Sequence, residues 1–107
     1  MHHVVDVIFW PSRREKAVMQ LGLDRHAVAR LTGLVFERVL EDMGYEYFAA
    51  CDIVDFGPMY FHAHENVPGT VDVFADSACP TALAIAAIAV EFRISDAAIV
   101  WRNDDGG

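Results

Sequence analysis

The sequence predicts a single α+β domain with the element order β-α-β-β-α-β. Stretches rich in β-branched and aromatic residues, which are typical of strands, alternate with two segments whose apolar residues suit helices. At 107 residues the chain is long enough to bury one core without disulfides. We expect the domain to occupy residues 1–102 and a polar tail to occupy residues 103–107.

The first predicted strand comprises residues 3–10, His-Val-Val-Asp-Val-Ile-Phe-Trp. Asp6 interrupts its apolar row, where an unpaired charge is costly. We therefore expect Asp6 to face a cleft or a specific partner. Ser12 and Glu15 fit a capping box, which predicts a short helix or a lid from Ser12 to Gly22.

The main predicted helix runs from Arg25 to Met43, after an N-cap at Asp24 and before a terminating Gly44. Its apolar stripe consists of Val28, Leu31, Leu34, Val35, Val39 and Leu40. Their spacing of three and four residues is that of an amphipathic helix lying on a sheet.

The second half of the chain supplies the remaining elements. The predicted strands comprise residues 45–54, 70–75 and 96–101, with a short additional strand at residues 59–63. Pro80 suits the first position of a second helix, which we expect to end near Phe92. This helix is apolar almost all round, so it should pack on more than one side.

This order is that of a ferredoxin-like split βαβ sandwich. Helices on one face would leave the other sheet face for a cleft or a second subunit. If the first and third core strands are neighbours, Asp6 and Asp72 lie side by side there. An apolar fraction of 54% also favours burial of surface between copies, so we expect an oligomer.

Charge and composition exclude several classes of function. A formal charge of −8 argues against non-specific binding to nucleic acid, which requires a cationic surface. The longest apolar run, residues 82–90, is too short to span a bilayer, and no secretory signal pattern is present. We expect a cytoplasmic protein without membrane or nucleic-acid contacts. Cys51 and Cys79 are too few for a disulfide framework, which predicts buried reduced thiols.

The candidate chemistry is concentrated between Asp55 and Gly69. Gly-Pro and Pro-Gly pairs fix the path of this segment, which contains Tyr60, His62, His64 and Glu65. On a strand, His62 and His64 would share a face and could share a divalent metal. Further ligands are lacking nearby, so we predict neither a metal nor a cofactor. A metal-dependent small enzyme using both histidines is kept as an alternative.

The carboxylates of Glu65 and Glu91, with those of Asp6 and Asp72, provide the second candidate set. Glu65 and Glu91 can each act as a base or a counter-ion, or simply as a loop charge and a solvated helix end. The sequence has no nucleophile elbow and no phosphate-binding loop. These features favour a site that positions its ligand and supplies no nucleophile.

Several features follow one another along most of the chain in a recognisable order. They are the strand at residues 3–10, a helix ending at Gly44, Asp55-Phe-Gly-Pro-Met-Tyr60, Thr70-Val-Asp-Val73, and an Ala/Leu-rich helix leading into Glu91-Phe92 and residues 96–101. In this layout the chain resembles the small phage-type S-adenosylmethionine hydrolase/lyase family. The resemblance implies a PII-like homotrimer with ligand sites between subunits.

The resemblance also implies a reaction and its residues. The carboxylate of S-adenosylmethionine attacks its own γ-carbon, which releases methylthioadenosine and leaves homoserine lactone. Tyr60, Glu65 and Glu91 are the catalytic candidates that it implies. The candidate substrate-binding residues are Asp6, His62, His64 and Asp72. The alternative from another class is a non-enzymatic, PII-like oligomer that binds or senses a small ligand.

A second resemblance, to bacterial S-adenosylmethionine decarboxylase, rests on His62, Gly69-Thr-Val-Asp-Val-Phe74 and Pro80. That family forms its pyruvoyl group by self-cleavage within a Glu-Ser dipeptide. The dipeptide is absent from this sequence. We therefore do not expect a pyruvoyl enzyme.

Overall fold

The computed structural model describes residues 1–5, 15–42 and 44–104, and these form an α+β structure. The strands are β1 His2–Val5, β2 Glu15–Leu21, β3 Glu37–Glu41, β4 Gly44–Ile53, β5 Gly57–His64, β6 Val67–Asp76 and β7 Ile99–Arg102. The helices are α1 Arg25–Thr32 and α2 Thr81–Phe92, and a short 3-10 turn, Asp96–Ala98, precedes β7. The predicted α+β class is confirmed.

The described strands form one sheet in the order β1-β4-β5-β6-β2-β7, and β3 also pairs with β4. Every paired strand is antiparallel to its neighbour. β4, β5 and β6 form a meander with short turns. Because β5 occupies one edge of β4, β1 and β3 lie end to end along the other, with Val4 opposite Cys51 and Glu37 opposite Phe48.

Alternation along the central strands separates two faces of the sheet. One set of side chains joins both helices in a single buried core: Met59 and Phe61 of β5, Val71 and Val73 of β6, Val28 of α1, and Ile88 and Phe92 of α2. We call this the helix face. The intervening residues, among them Tyr60, His62 and Asp72, belong to the opposite face, which we call the far face.

The predicted long helix from Arg25 to Met43 is wrong beyond Thr32. Gly33 adopts a left-handed conformation with φ of 75° and donates its N–H to the Ala29 carbonyl at 2.8 Å, which ends α1. The chain then returns as β3, which pairs with β4. The apolar residues between 34 and 40 fit either period, and the long-range pairing with β4 decides between them.

The predicted helix or lid from Ser12 to Gly22 is also wrong where the structure describes it. Residues 15–21 form β2, which lies between β6 and β7 and buries Val18, Met19 and Leu21. Burial of these three side chains in the sheet outweighs the local capping pattern. Residues 12–14 lie outside the described residues.

Most of the other predicted elements agree with the structure. β4, β5, β6 and α2 coincide with the predicted elements to within a few residues, and β7 forms the second half of the last predicted strand.

Asp6 and the rest of the first predicted strand beyond Val5 lie outside the described residues. The described part of that strand, β1, pairs with β4, whereas β6 pairs with β5 and β2. The first and third core strands, β1 and β6, are therefore not neighbours within the described residues. The four-stranded ferredoxin-like order is not confirmed, because the described sheet has seven strands.

Neither helix of the described residues is both long enough and apolar enough to cross a membrane.

Candidate functional site

A row of polar side chains crosses the far face of the sheet. Gln20 of β2 is paired with Asp72 of β6, which is paired with His62 of β5. His62 is in turn paired with Phe48 of β4, and Glu46 lies two residues before Phe48 on the same face. We call Gln20, Glu46, His62 and Asp72 the His62 cluster.

Both ring nitrogens of His62 face carboxylates. Nε2 lies 2.9 Å from Glu46 Oε1, and Nδ1 lies 3.5 Å from Asp72 Oδ2. Gln20 Nε2 donates a hydrogen bond to the other Asp72 oxygen at 2.9 Å. The Phe48 ring covers His62 with ring centroids 5.1 Å apart. Only a protonated imidazole donates from both nitrogens, so this geometry favours the imidazolium.

The electrostatics of the cluster follow from these contacts. The hydrogen bond to Asp72 raises the pKa of His62 most, Glu46 raises it further, and desolvation opposes both. The same His62–Asp72 hydrogen bond lowers the pKa of Asp72, with help from Gln20 and against desolvation. The relative exposures of the His62, Glu46 and Asp72 side chains are 20%, 24% and 36%. The cluster therefore places an imidazole whose cationic form is favoured between two carboxylates, within reach of solvent.

Tyr60 also belongs to the far face but is only 5% exposed. It is paired with Ala50 on β4 and with Phe74 on β6. Desolvation raises its pKa, and the carboxylates of Glu15, Asp76 and Asp52 add to the effect. Tyr60 is therefore a neutral phenol at physiological pH, able to hydrogen-bond but not to act as a phenolate.

Glu91 lies near the end of α2, on the other side of the sheet. It accepts a hydrogen bond from His2 Nδ1 at 2.8 Å and forms an ion pair with the Met1 ammonium group. These contacts lower its pKa, with His2 the larger cause. Since α2 covers the helix face, the structure does not bring Glu91 to the His62 cluster.

Glu65 and His64 lie where β5 turns into β6. Glu65 is exposed and donates its N–H to the Tyr45 carbonyl at 3.0 Å, while His64 Nδ1 accepts the Asn66 N–H at 3.0 Å. Along an extended chain Glu65 is about 16 Å from Tyr60. The three catalytic candidates, Tyr60, Glu65 and Glu91, thus lie in three separate places within one chain.

Two members of the cluster, Gln20 and Glu46, were missed by the sequence analysis. Gln20 lies between the apolar residues 17–19 and Leu21, and Glu46 lies between Tyr45 and Tyr47, which is a signal that the sequence does contain. The pairing of each strand with its neighbour, however, fixes which residues meet. Asp6, the remaining binding candidate, lies outside the described residues.

The described residues also bear on metal binding and on thiol chemistry. Within residues 1–5, 15–42 and 44–104, no three His, Cys, Asp or Glu side chains are grouped so that they could hold a metal ion. Burial raises the pKa of Cys51 to about 12, so this thiol is a poor nucleophile. Cys79 is only partly buried, in contrast to the prediction for it.

The Gly44 position offers a test of the turn that carries Glu65. Gly44 has φ of 118°, and an added Cβ would lie 2.5 Å from Glu65 Oε1. The flexible Glu65 side chain can move away, but the backbone strain stays. We expect Gly44→Ala to lower the free energy of unfolding by about 1–3 kcal/mol in urea denaturation. Adding Glu65→Ala should recover little of this loss; full recovery would assign the effect to the side-chain contact instead.

Comparison with known proteins found no matching family model, no matching curated protein and no matching solved structure.

Proposed function

We propose that the protein binds S-adenosylmethionine at the His62 cluster and cleaves it to methylthioadenosine and homoserine lactone. One observation carries the proposal: Glu46 and Asp72 flank His62 in an arrangement that favours its cationic form. Even when His62 is protonated, the two carboxylates outnumber its single positive charge, and the net negative charge that remains attracts the positive sulfonium group of a ligand. The adjacent Phe48 ring adds an apolar contact for such a cation.

The reaction requires few groups from the protein. An oxygen of the substrate carboxylate bonds to the γ-carbon, the γ-carbon–sulfur bond breaks, and its electron pair returns to sulfur as a neutral thioether. No proton is transferred and no external nucleophile is consumed. The protein must hold the methionyl part folded and keep water away. Tyr60, which burial keeps neutral, is proposed to hydrogen-bond a substrate oxygen.

The charge change in this reaction assigns different roles to the carboxylates and the aromatic side chains. Positive and negative charge neutralise each other as the bond breaks, so the transition state is less charged than the substrate. Asp72 and Glu46 therefore contribute mainly to binding, while an apolar environment favours the chemical step. We expect Asp72→Asn to raise KM more than it lowers kcat.

In the proposed homotrimer of PII-like architecture, Glu65 would contribute to a ligand site between subunits. Sites between subunits can use a side chain that is exposed in one chain, as Glu65 is. Highly exposed Val35 and Leu40, at 79% and 68%, support a contact between copies. Light scattering on the purified protein tests the trimer directly; a monomer at all concentrations would remove this part of the proposal.

A non-enzymatic binding protein is the second candidate. It is favoured by the separation of Tyr60, Glu65 and Glu91 within the chain and by the use of Glu91 in contacts with Met1 and His2. In this hypothesis the ligand binds at the His62 cluster and is not transformed.

One experiment separates these functions. The protein is incubated with S-adenosylmethionine, methylthioadenosine is followed by chromatography, and binding is measured by calorimetry. We expect product from the native protein and a KM about tenfold higher for Asp72→Asn, equivalent to about 1.4 kcal/mol. His26→Gln, which changes an exposed histidine on α1, is the matched control. Binding without product favours the second candidate, and absence of both removes the proposal.

The same assay tests the metal-dependent alternative. If that alternative holds, a chelator abolishes turnover, a divalent ion restores it, and His62→Ala prevents the restoration. Activity that is unchanged by the chelator contradicts it.

A further inference from the structure

Two arginine–tyrosine stacks lie side by side at the start of β4. The Arg25 guanidinium carbon is 3.7 Å from the Tyr47 ring centroid, and that of Arg38 is 4.5 Å from the Tyr45 centroid. Tyr45 and Tyr47 alternate with Glu46, so both belong to the helix face. Arg25 comes from the first turn of α1 and Arg38 from β3, where it is paired with Tyr47. We call these four residues the Arg–Tyr patch.

The two guanidinium groups have no acidic partners within the described part of the chain. The sequence contains 16 acidic residues, yet neither Arg25 nor Arg38 forms an ion pair or a side-chain hydrogen bond with a described residue. Arg102, by contrast, lies 3.3 Å from Asp96. Stacking uses the flat face of a guanidinium and leaves the N–H groups at its edge available. The patch therefore presents free, oriented donors.

We propose that the Arg–Tyr patch binds a phosphate group of a small molecule. Tyr45 and Tyr47, the rings on which the two guanidinium groups stack, are alternate residues of β4 about 7 Å apart, so both stacks can face one anion. A phosphate monoester offers three acceptor oxygens and nearly two negative charges at neutral pH. Two bidentate arginines need more acceptor oxygens than the two that a carboxylate has. Phosphate is thus the better match.

Stacking also lowers the entropic cost of binding. A free arginine side chain has many rotamers, and an anion must fix one of them. Tyr45 and Tyr47 already restrict Arg38 and Arg25, so less freedom is lost when an anion binds. Tyr47 is itself packed against the core, which gives the patch a rigid base.

The Arg–Tyr patch is independent of the proposed function. It lies on the helix side of the sheet, whereas the His62 cluster lies on the far face, and the patch attracts the opposite sign of charge. Failure of S-adenosylmethionine binding would leave this proposal intact.

The test is a titration at constant ionic strength with two probes, inorganic phosphate and adenosine monophosphate, followed by calorimetry and ³¹P NMR. We expect saturable binding by the native protein. Arg25→Gln and Arg38→Gln should each weaken it by at least about tenfold. Arg25→Lys, which keeps the charge but not the planar fork, should lose part of the affinity. Binding of both probes identifies phosphate itself as the ligand, and binding of adenosine monophosphate alone identifies a monoester with a ring.

Arg30→Gln is the matched control, because Arg30 is exposed on the same helix and stacks on no described ring. It should leave the affinity unchanged, and circular dichroism should show that every variant is folded. Absence of saturable binding with both probes overturns the proposal. An Arg30→Gln variant that binds as weakly as Arg38→Gln also overturns it, since general charge attraction would then explain the binding.

Discussion

Replacing Phe61 by alanine is expected to lower the free energy of unfolding by about 3–5 kcal/mol. Phe61 lies in the middle of β5, is fully buried, and meets Phe92 of α2 edge to face at 6.3 Å. The change removes apolar burial and the aromatic contact, and it leaves a cavity between the sheet and α2. A domain of this size is stable by only about 5–15 kcal/mol, so the variant should unfold at a much lower urea concentration.

Two comparisons show whether the cavity causes the effect. Phe61→Leu keeps most of the volume and should cost less than about 1.5 kcal/mol. Val90→Ala, at an 82% exposed position of α2, should change stability by no more than about 0.5 kcal/mol. If Phe61→Ala cost no more than Val90→Ala, the described packing of α2 against β5 would be incorrect.

The stabilising contribution of the His62 cluster is expected to depend on pH. The pKa of His62 is raised in the folded state, so its contribution is complete below the unfolded value, about 6.5, and is lost as pH rises through the folded value. The pKa of Asp72 is lowered, so its contribution is complete above the unfolded value, about 3.9, and is lost as pH falls through the folded value. Both contributions are therefore complete between about pH 4 and about pH 6.5.

His62→Gln is the variant that tests this window. At about pH 5.5 it should lower the free energy of unfolding by about 1–2 kcal/mol, because a charged hydrogen bond is lost at a partly exposed site. At about pH 9 the loss should be smaller, since less of the native histidine is then protonated than at about pH 5.5. His26→Gln, at an exposed position of α1, is the control and should change the free energy of unfolding by no more than about 0.5 kcal/mol. Equal losses for His62→Gln at both pH values would contradict the assignment of an imidazolium at His62.

Much of the second half of the chain was predictable because local and long-range preferences agree there. The alternation around Val71 and Val73 suits a strand in any context, and the strand is then buried against the helices. Pro80 and the apolar run after it likewise favour a helix whatever its neighbours. For such segments the residues alone determine the element.

The segment after Thr32 was not predictable in this way. Its apolar residues fit a helix as well as a strand, and the choice depends on pairing of β3 with β4. Likewise, residues 15–21 form a strand because they pair with β6 and β7. Local spacing contains no information on which distant strand is available, so both segments were assigned to the wrong element.

The candidate site also combines residues that the sequence identifies with residues that only the pairing of strands brings together. His62 and Asp72 were identified as binding candidates from their residue type, and the structure places them together. Glu46 and Gln20 join them only through strand register. Glu91 is a catalytic candidate through the family resemblance and as a helix-end carboxylate. In the structure it contacts His2, 89 positions away in sequence, on the side of the sheet opposite to the His62 cluster.

The position of β2 has a consequence for the order in which the chain folds. Its residues are synthesised early, but they lie between β6 and β7, whose residues are synthesised late. The hairpins of β4, β5 and β6 join neighbouring segments and can form quickly, whereas insertion of β2 must close loops of some fifty and eighty residues. On the ribosome, we expect the central meander to form first and the edge of β2 that pairs with β7 to remain unpaired until residue 102 has emerged.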